Sequence, residues 1–430
     1  MSEPGAERWD HPLKFRLDPI ATARGSDTLV ARQPQWSFKL CLAKFRRTGH
    51  NHGALAAPDS RLQTTDFDQR MMRRALELAA QGVGLVSPGP LVGCASVNDR
   101  QQIVGEGFYV YDEIKHAETI ALDQAGAAAR GATAYISLEP HAHQGRTAPC
   151  TDALIKAGVG RVVAPIEDPN PKVSGRGFAH LREAGIEVCT GLLAAEAAQL
   201  NEAYIHFMRT GRPFVHLKMA VSLDGKVATA IGESQWITGE AARARAHEMR
   251  HQYDAIMVGG GTVRADDPLL TDRSGKPRRR PLVRVVIEQY LRTSAESQLA
   301  QTTDAAPVIV FACDADTDAI DALRRRNVEV VAQGSALDLL SVLDDLGKRS
   351  LQSVLVEGGP ALAGLLLEAG LINKVTFFVA PMIVGGQDAP SAIAGGGAEK
   401  ITDAVQLERV EVRQHDRDVE ITGYPSTNKD

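Results

Sequence analysis

His116-Ala117-Glu118 and the later run His141-Ala142-His143 to Cys150 bring three imidazoles, a thiol and a carboxylate into one stretch of chain. A hydrolytic zinc site takes three protein ligands, leaves a fourth position for water, and needs a nearby carboxylate that moves protons without binding the metal. His116, His141 and Cys150 can supply the ligands and Glu118 the carboxylate, with His143 as a spare donor. A bound zinc would lower the pKa of its water from about 15.7 to roughly 7, and the carboxylate would pass the released proton to a departing ammonia. Residues i and i+2 of a helix point about 200° apart. His116 and Glu118 can therefore serve one site only from a first helical turn whose end faces the metal.

A second set of chemistry-bearing residues lies further on. VGGGTVRADDPLLTDR at 258–273 puts three glycines after an apolar strand, and VEGGPALAGLLLEAG at 356–370 puts two before a helix. Such turns let backbone N–H groups and a helix N-terminus approach a pyrophosphate. Neither is G-x-G-x-x-G, so a dinucleotide site here must be of another type.

The elements that must carry these residues alternate. DQRMMRRALELAAQG spaces Met71, Met72, Ala75, Leu76 and Ala79 at helical intervals and stops at Gly82. Strand-like LVGCASV, IVGEGF, ATAYISL, RVVAPI and IEVCTG then alternate with helical HAETIALDQAGAAA, TDALIKAG and GFAHLREAG. That order predicts a three-layer α/β domain with a mainly parallel sheet over residues 64–200. The pattern breaks at RTGRP, and a second β/α series from PFVHLKMAV to KVTFFVAPMIVGG predicts another domain over 212–426. Residues 292–306 and RSGKPRRR are expected to be loops. Residues 1–63 show no sustained periodicity and read as a poorly ordered extension.

Composition narrows the function classes. Forty-eight Lys+Arg against 53 Asp+Glu give 430 residues a net charge of −5, and aromatics are only 5%. No general attraction to nucleic acid or anionic membranes follows, so metabolites are the expected partners. No window approaches a membrane span, and five scattered cysteines without framework spacing point to a reducing cytoplasm.

From about Met71 to Gly191 the chain resembles the cytidine deaminase superfamily, and more closely the bifunctional deaminase–reductase family of riboflavin biosynthesis. The motifs are VGC 92–94, GEG 105–107, HAE 116–118, GATAYISLEP 131–140, GRTAPC 145–150 and EDPNPKVSGRG 167–177. SLDGK 222–226, GESQWIT 232–238, the run from Arg250 through Thr262 and Asp266-Asp267-Pro268 to Thr271, and VEGGP 356–360 resemble its reductase half, whose fold is like dihydrofolate reductase. The resemblance implies NADP contacts from Ala220, Trp236, Thr262, Asp266 and the loop Gly359, Pro360, Ala361, Leu362, Ala363, Gly364 and Leu365. It implies substrate contacts from Ser234, Arg250, Leu270, Arg273 and Glu357. Guanidinium groups at 250 and 273 suit a sugar phosphate, and the Trp236 indole can stack on a cofactor ring.

Three positions depart from the family pattern: His141 replaces a zinc-binding Cys, Gly89 replaces the Asn of a P-N-P turn, and Tyr109 replaces a His. The glutamate Glu288 also stands where an Asp usually ends its strand. The expected function is zinc-dependent hydrolytic deamination of 2,5-diamino-6-ribosylamino-4(3H)-pyrimidinone 5′-phosphate, followed by NADPH reduction of the ribose to a ribityl chain. The resemblance also implies a homo-oligomer. Competing readings are a reductase with a decayed deaminase, a nucleic-acid-editing deaminase, and a non-enzymatic zinc-stabilised module.

Overall fold

Helix α1 (Asp66–Ala80) begins where Thr65 and Asp68 form a reciprocal capping box, and it buries Met72, Ala75, Leu76 and Ala79. The computed structural model describes residues 64–113 and 115–426; the expected extension over 1–63 lies outside them. There follow β1 (Gly93–Val97), β2 (Ile103–Phe108), α2 (Ala117–Ala125), β3 (Thr133–Ile136), α3 (Cys150–Ala157), β4 (Arg161–Ala164), α4 (Arg176–Glu183) and β5 (Glu187–Thr190). They build a five-stranded sheet in the order β2-β1-β3-β4-β5.

Alternate residues of these strands face opposite ways. Cys94, Ala134, Ile136, Val162 and Val188 pack with α2, α3 and α4, whereas Val97, Tyr135, Val163 and Cys189 pack with α1. Three layers result. The expectation of a mainly parallel sheet needs correction, because β1 pairs antiparallel with both β2 and β3, and only β3-β4-β5 is parallel. The β1–β2 link is a short turn in which Asn98 Oδ1 accepts from the N–H groups of Arg100 and Gln102, and so short a link joins only antiparallel strands.

The glycines of GEG are required by packing. A Cβ at Gly105 would stand 1.9 Å from the Ala121 carbonyl oxygen, and one at Gly107 would stand 2.5 Å from that of Ala117. Their absence lets α2 lie directly on β2, which sets the depth of its N-terminus.

Helices α5 (Ala194–Leu200) and α6 (Glu202–Thr210) lead to a second sheet. Its elements are β6 (Phe214–Ser222), α7 (Glu240–Gln252), β7 (Ala255–Gly259), α8 (Gly260–Asp266), β8 (Val283–Tyr290), α9 (Gln298–Gln301), β9 (Val308–Asp314), α10 (Thr317–Arg324), β10 (Glu329–Ala332), α11 (Leu339–Lys348), β11 (Ser353–Glu357), α12 (Pro360–Glu368), β12 (Lys374–Ala380), β13 (Leu407–His415) and β14 (Asp418–Pro425). The order is β10-β9-β8-β7-β11-β6-β12-β14-β13. All pairs from β10 to β12 are parallel, and β14 and β13 add antiparallel strands at one edge. The sequence pattern does not announce that hairpin. A register shift between Glu408 and Glu411, with Arg409 at φ 49°, interrupts the alternation that would mark β13. Within the expected loop 292–306, Ser297 caps the one-turn α9.

Asp68 ties the first layer to the sheet. Its carboxylate accepts from the Thr65 N–H (2.8 Å) and hydroxyl (2.9 Å), the Tyr135 hydroxyl (2.6 Å) and the Arg161 guanidinium (2.7 Å). Burial pushes this carboxyl up, but those donors outweigh it and bring it from 3.8 down to about 2. Because the folded-state value is depressed, the stabilisation is complete above pH ~4 and disappears as pH falls through about 2; the shift corresponds to about 2 kcal/mol. Asp68→Asn is expected to lower the urea-unfolding free energy by about that amount at pH 6–7 and to flatten its fall between pH 4 and 2. Unfolding curves for both chains across that range check this.

Candidate functional site

His116 is the N-cap of α2, with extended backbone (φ −83°, ψ 166°), so it stands just outside the helix while Glu118 occupies the first turn. Cys150 is the first residue of α3, and His141 follows β3 after Leu138-Glu139-Pro140. The two helix starts and the strand end bring one ligand atom from each of His116, His141 and Cys150 within 4.8 Å of one another. His116 Nδ1 lies 3.4 Å from Cys150 Sγ, and the Thr147 hydroxyl approaches His116 Nε2 at 3.2 Å. Glu118 is 3% exposed, and its Oε2 has no hydrogen-bond partner.

This arrangement fits a zinc ion. Two imidazoles and a thiol are the donors zinc takes, and an unpaired buried carboxylate oxygen beside them calls for a water or a cation. Burial, with help from His116 and His143, pushes the His141 imidazole down to about 4, which leaves its lone pair available at neutral pH. Burial and Glu118 push the Cys150 thiol up, so a cation is needed to make it a thiolate. His143 packs edge-on against His141 but stays outside the group.

A cavity of about 290 Å³ opens onto the cluster, lined among others by Tyr109, Arg146, Asp168, Asn170 and Tyr204. Its far wall hangs on Glu139. That buried carboxylate accepts N–H groups from Asp168 (3.1 Å), Gly175 (2.9 Å), Gly177 (2.9 Å) and Phe178 (3.3 Å), and so fastens the segment 167–178 over the cavity. Asp168 in turn accepts from Asn170 N and the Tyr204 hydroxyl. Sequence reasoning does not single out Glu139 or Tyr204, because their partners lie some thirty residues away along the chain.

Gly89 and Tyr109 belong together. A Cβ at Gly89 would stand 2.9 Å from Tyr109 Cε1 and 3.5 Å from Tyr111 Cδ2. The aromatic rings therefore fill the room a larger residue at 89 would use, and Tyr109 packs edge-on against His116 at 4.9 Å.

The second constellation gathers at the C-terminal ends of β6, β7 and β11, adjacent in the sheet, where open α/β sheets bind ligands. Thr262 on α8 faces Gly359 at the start of α12: a Cβ at Gly359, whose φ is 83°, would lie 3.3 Å from the Thr262 hydroxyl. Ser234 donates to Asp266 at 3.3 Å. Trp236 is 65% exposed with Arg243 over its ring at 4.6 Å, so it is not a core residue. Arg250 forks onto Glu357 through bonds of 2.6 and 2.9 Å and is not free for phosphate. Arg273 is exposed, and Leu270 is packed among core side chains, leaving only its backbone to face a ligand.

Burial raises the Glu357 carboxyl, but Arg250, Lys218 and His247 overcome this and hold it at about 2. Lys218 and His247 thus belong to this cluster, although the sequence reading omits them. The available signal was the i, i+2 spacing that puts Lys218 on the same face of β6 as Ala220. Glu288 is buried, paired with Arg264 at 2.8 Å, and accepts N–H groups of Arg292 and Thr293. It lies where a side chain at Gly260 would be, and so has a structural role.

Residues 65–165 match the cytidine and deoxycytidylate deaminase zinc-binding region, and residues 213–421 match the RibD C-terminal domain. Riboflavin biosynthesis protein RibD of Actinobacillus pleuropneumoniae is 44% identical over 346 residues, covering 80% of this chain and 91% of that one. RibD of Escherichia coli K12 is 42% identical over 364 residues, covering 82% and 98%. Among solved structures, Acinetobacter baumannii RibD superposes with a TM-score of 0.75 at 37% identity, covering 84% and 99%. A Thermotoga maritima diaminohydroxyphosphoribosylaminopyrimidine deaminase/5-amino-6-(5-phosphoribosylamino)uracil reductase gives 0.74 at 35%, with the same coverage.

Glu139→Gln would present N–H donors to the N–H groups that the carboxylate now accepts. It is expected to destabilise the fold by about 2–4 kcal/mol. The loss should be accompanied by faster amide exchange across 167–178, measured by mass spectrometry.

Proposed function

The chain belongs to the RibD family of riboflavin-biosynthesis enzymes, with pyrimidine deaminase and pyrimidine reductase activities in one polypeptide, and on that premise we propose which residues perform each reaction and on what substrate. The substrate is 2,5-diamino-6-ribosylamino-4(3H)-pyrimidinone 5′-phosphate, which loses its ring 2-amino group; the ribose of the product is then reduced to give 5-amino-6-ribitylaminouracil 5′-phosphate. The observation that carries the reading is the convergence of His116, His141 and Cys150 beside the unpaired carboxylate oxygen of Glu118.

In the deaminase half His116, His141 and Cys150 would hold zinc, which supplies Lewis acidity and makes water nucleophilic at neutral pH. Glu118 is the proton carrier: Oε2 takes a proton and returns it to the amino nitrogen that leaves as ammonia. Its burial keeps bulk water from that transfer. Tyr109, Asp168, Asn170 and Tyr204 line the cavity that would seat the pyrimidine and ribose.

In the reductase half NADPH would supply hydride to C1 of the ribose. Ala220, Trp236, Thr262 and Asp266 would contact the cofactor. The turn from Gly359 through Pro360, Ala361, Leu362, Ala363 and Gly364 to Leu365 would offer the pyrophosphate the free N–H groups of the α12 N-terminus. Ser234, the Leu270 backbone and the Arg250–Glu357 pair would position the substrate. Arg273, exposed and close enough to act on His247, would meet its phosphate.

The reading extends to a homo-oligomer in the cytoplasm. Leu407, Val410 and Val412 are exposed on edge strand β13, a face suited to a second copy. Cys94, Cys150, Cys189 and Cys313 are free thiols, and among the described residues no helix is long and apolar enough to cross a membrane.

With zinc and the diamino substrate but no NADPH, the chain is expected to release one ammonia per substrate; adding NADPH then starts its oxidation. Glu118→Gln should keep its zinc, lose roughly 10²–10⁴-fold in ammonia release, and still oxidise NADPH on the deaminated compound. Full ammonia release by this variant, or purified protein without stoichiometric zinc, would overturn the assignment.

A further inference from the structure

Arg146 lines the deaminase cavity, yet among the described residues its guanidinium has no ion pair and no hydrogen bond. It rests instead on the ring of Tyr111, with Cζ 4.2 Å from the ring centroid. A second guanidinium, that of Arg279, lies 3.8 Å from the same centroid. Both guanidiniums therefore bear on the one Tyr111 ring.

Arg279 belongs to the other half of the molecule. It follows Arg278, whose guanidinium donates to the carbonyls of Arg250, His251 and Tyr253 at the end of α7 and to Asp272. From that anchored position Arg279 crosses to the first domain. Its backbone N–H donates to Gly84 O, its Nη1 to Ser87 O and its Nε to Asp112 Oδ1, each at 2.8 Å. Asp112 neutralises Arg279, so the two cations on one ring carry a single uncompensated charge, that of Arg146. A long side chain stacked in this way has already lost much of its rotamer freedom before it meets a ligand.

We propose that Arg279 and Tyr111 are positioning residues for the deaminase reaction: the reductase domain buttresses Tyr111, and the ring holds Arg146 toward the anionic group of the substrate entering the first cavity. The inference rests on the deaminase reading above. It makes the two halves interdependent through side chains, with no shared cavity required.

The test uses the full chain loaded with zinc and follows ammonia release against substrate concentration. Arg279→Ala and Tyr111→Leu should each raise KM roughly three- to thirtyfold, the effect of one lost cation–π contact, with kcat within about twofold. NADPH oxidation on the deaminated substrate should be unchanged. Tyr111→Phe, which keeps the ring, should hold KM near that of the parent, and Arg279→Ala should add nothing in an Arg146→Ala background. An unchanged KM in both variants, an effect that persists without Arg146, or a parallel fall of both activities would overturn the proposal. If the parent chain released no ammonia, the deaminase reading itself would fail. Amide exchange over residues 144–148 would still decide the coupling: faster exchange in Arg279→Ala supports it, and unchanged exchange refutes it.

Discussion

A carboxylate oxygen buried without a partner is among the more expensive features a fold can carry, and Glu118 has one. It is held there because two helices begin at the same place: α2 at Ala117 and α3 at Cys150. The side-chain-free glycines of β2 set how deeply the first helix sits, and the chain from β3 delivers His141 beside it. The stability of those elements is what makes an unpaired carboxylate tolerable.

The second domain handles its buried carboxylate in the opposite way. Glu357 is locked to Arg250 through two short bonds and faces Lys218 and His247 as well. A charge so fully compensated does not move protons; it sets the position of the groups around it. The contrast matches the two reactions. Hydrolytic deamination needs a group that picks up and releases protons, whereas hydride transfer needs alignment of two bound molecules and a site held in shape.

The halves are joined by more than the helices between the sheets. Arg279 on Ser87 and Asp112 and Gln352 on the Pro88 carbonyl cross from the second domain to the first, while Lys374 and Tyr424 hold the connecting helix α6 through Glu202. Two of these contacts end on the loop containing Gly89, against which Tyr109 and Tyr111 pack. Gly89 lies on this seam, and Tyr109, which lines the first-domain cavity, fills the room a side chain at 89 would use.

What could be read without coordinates was local: the helix of α1 from its apolar spacing, the alternation of strand and helix, the ligand types at 116, 141 and 150, and the glycine turns at 259–261 and 358–359. Each of these is encoded by neighbours in the chain, because periodicity and turn chemistry act over a few residues. The antiparallel placement of β1, the bulged hairpin β13–β14, the Glu139 clasp on 167–178, the pairing of Arg250 with Glu357 and the stack across Tyr111 were decided only in three dimensions. Their partners are brought together by the packing of sheets and helices, and whether a charged side chain is free or neutralised depends on what that packing places opposite it.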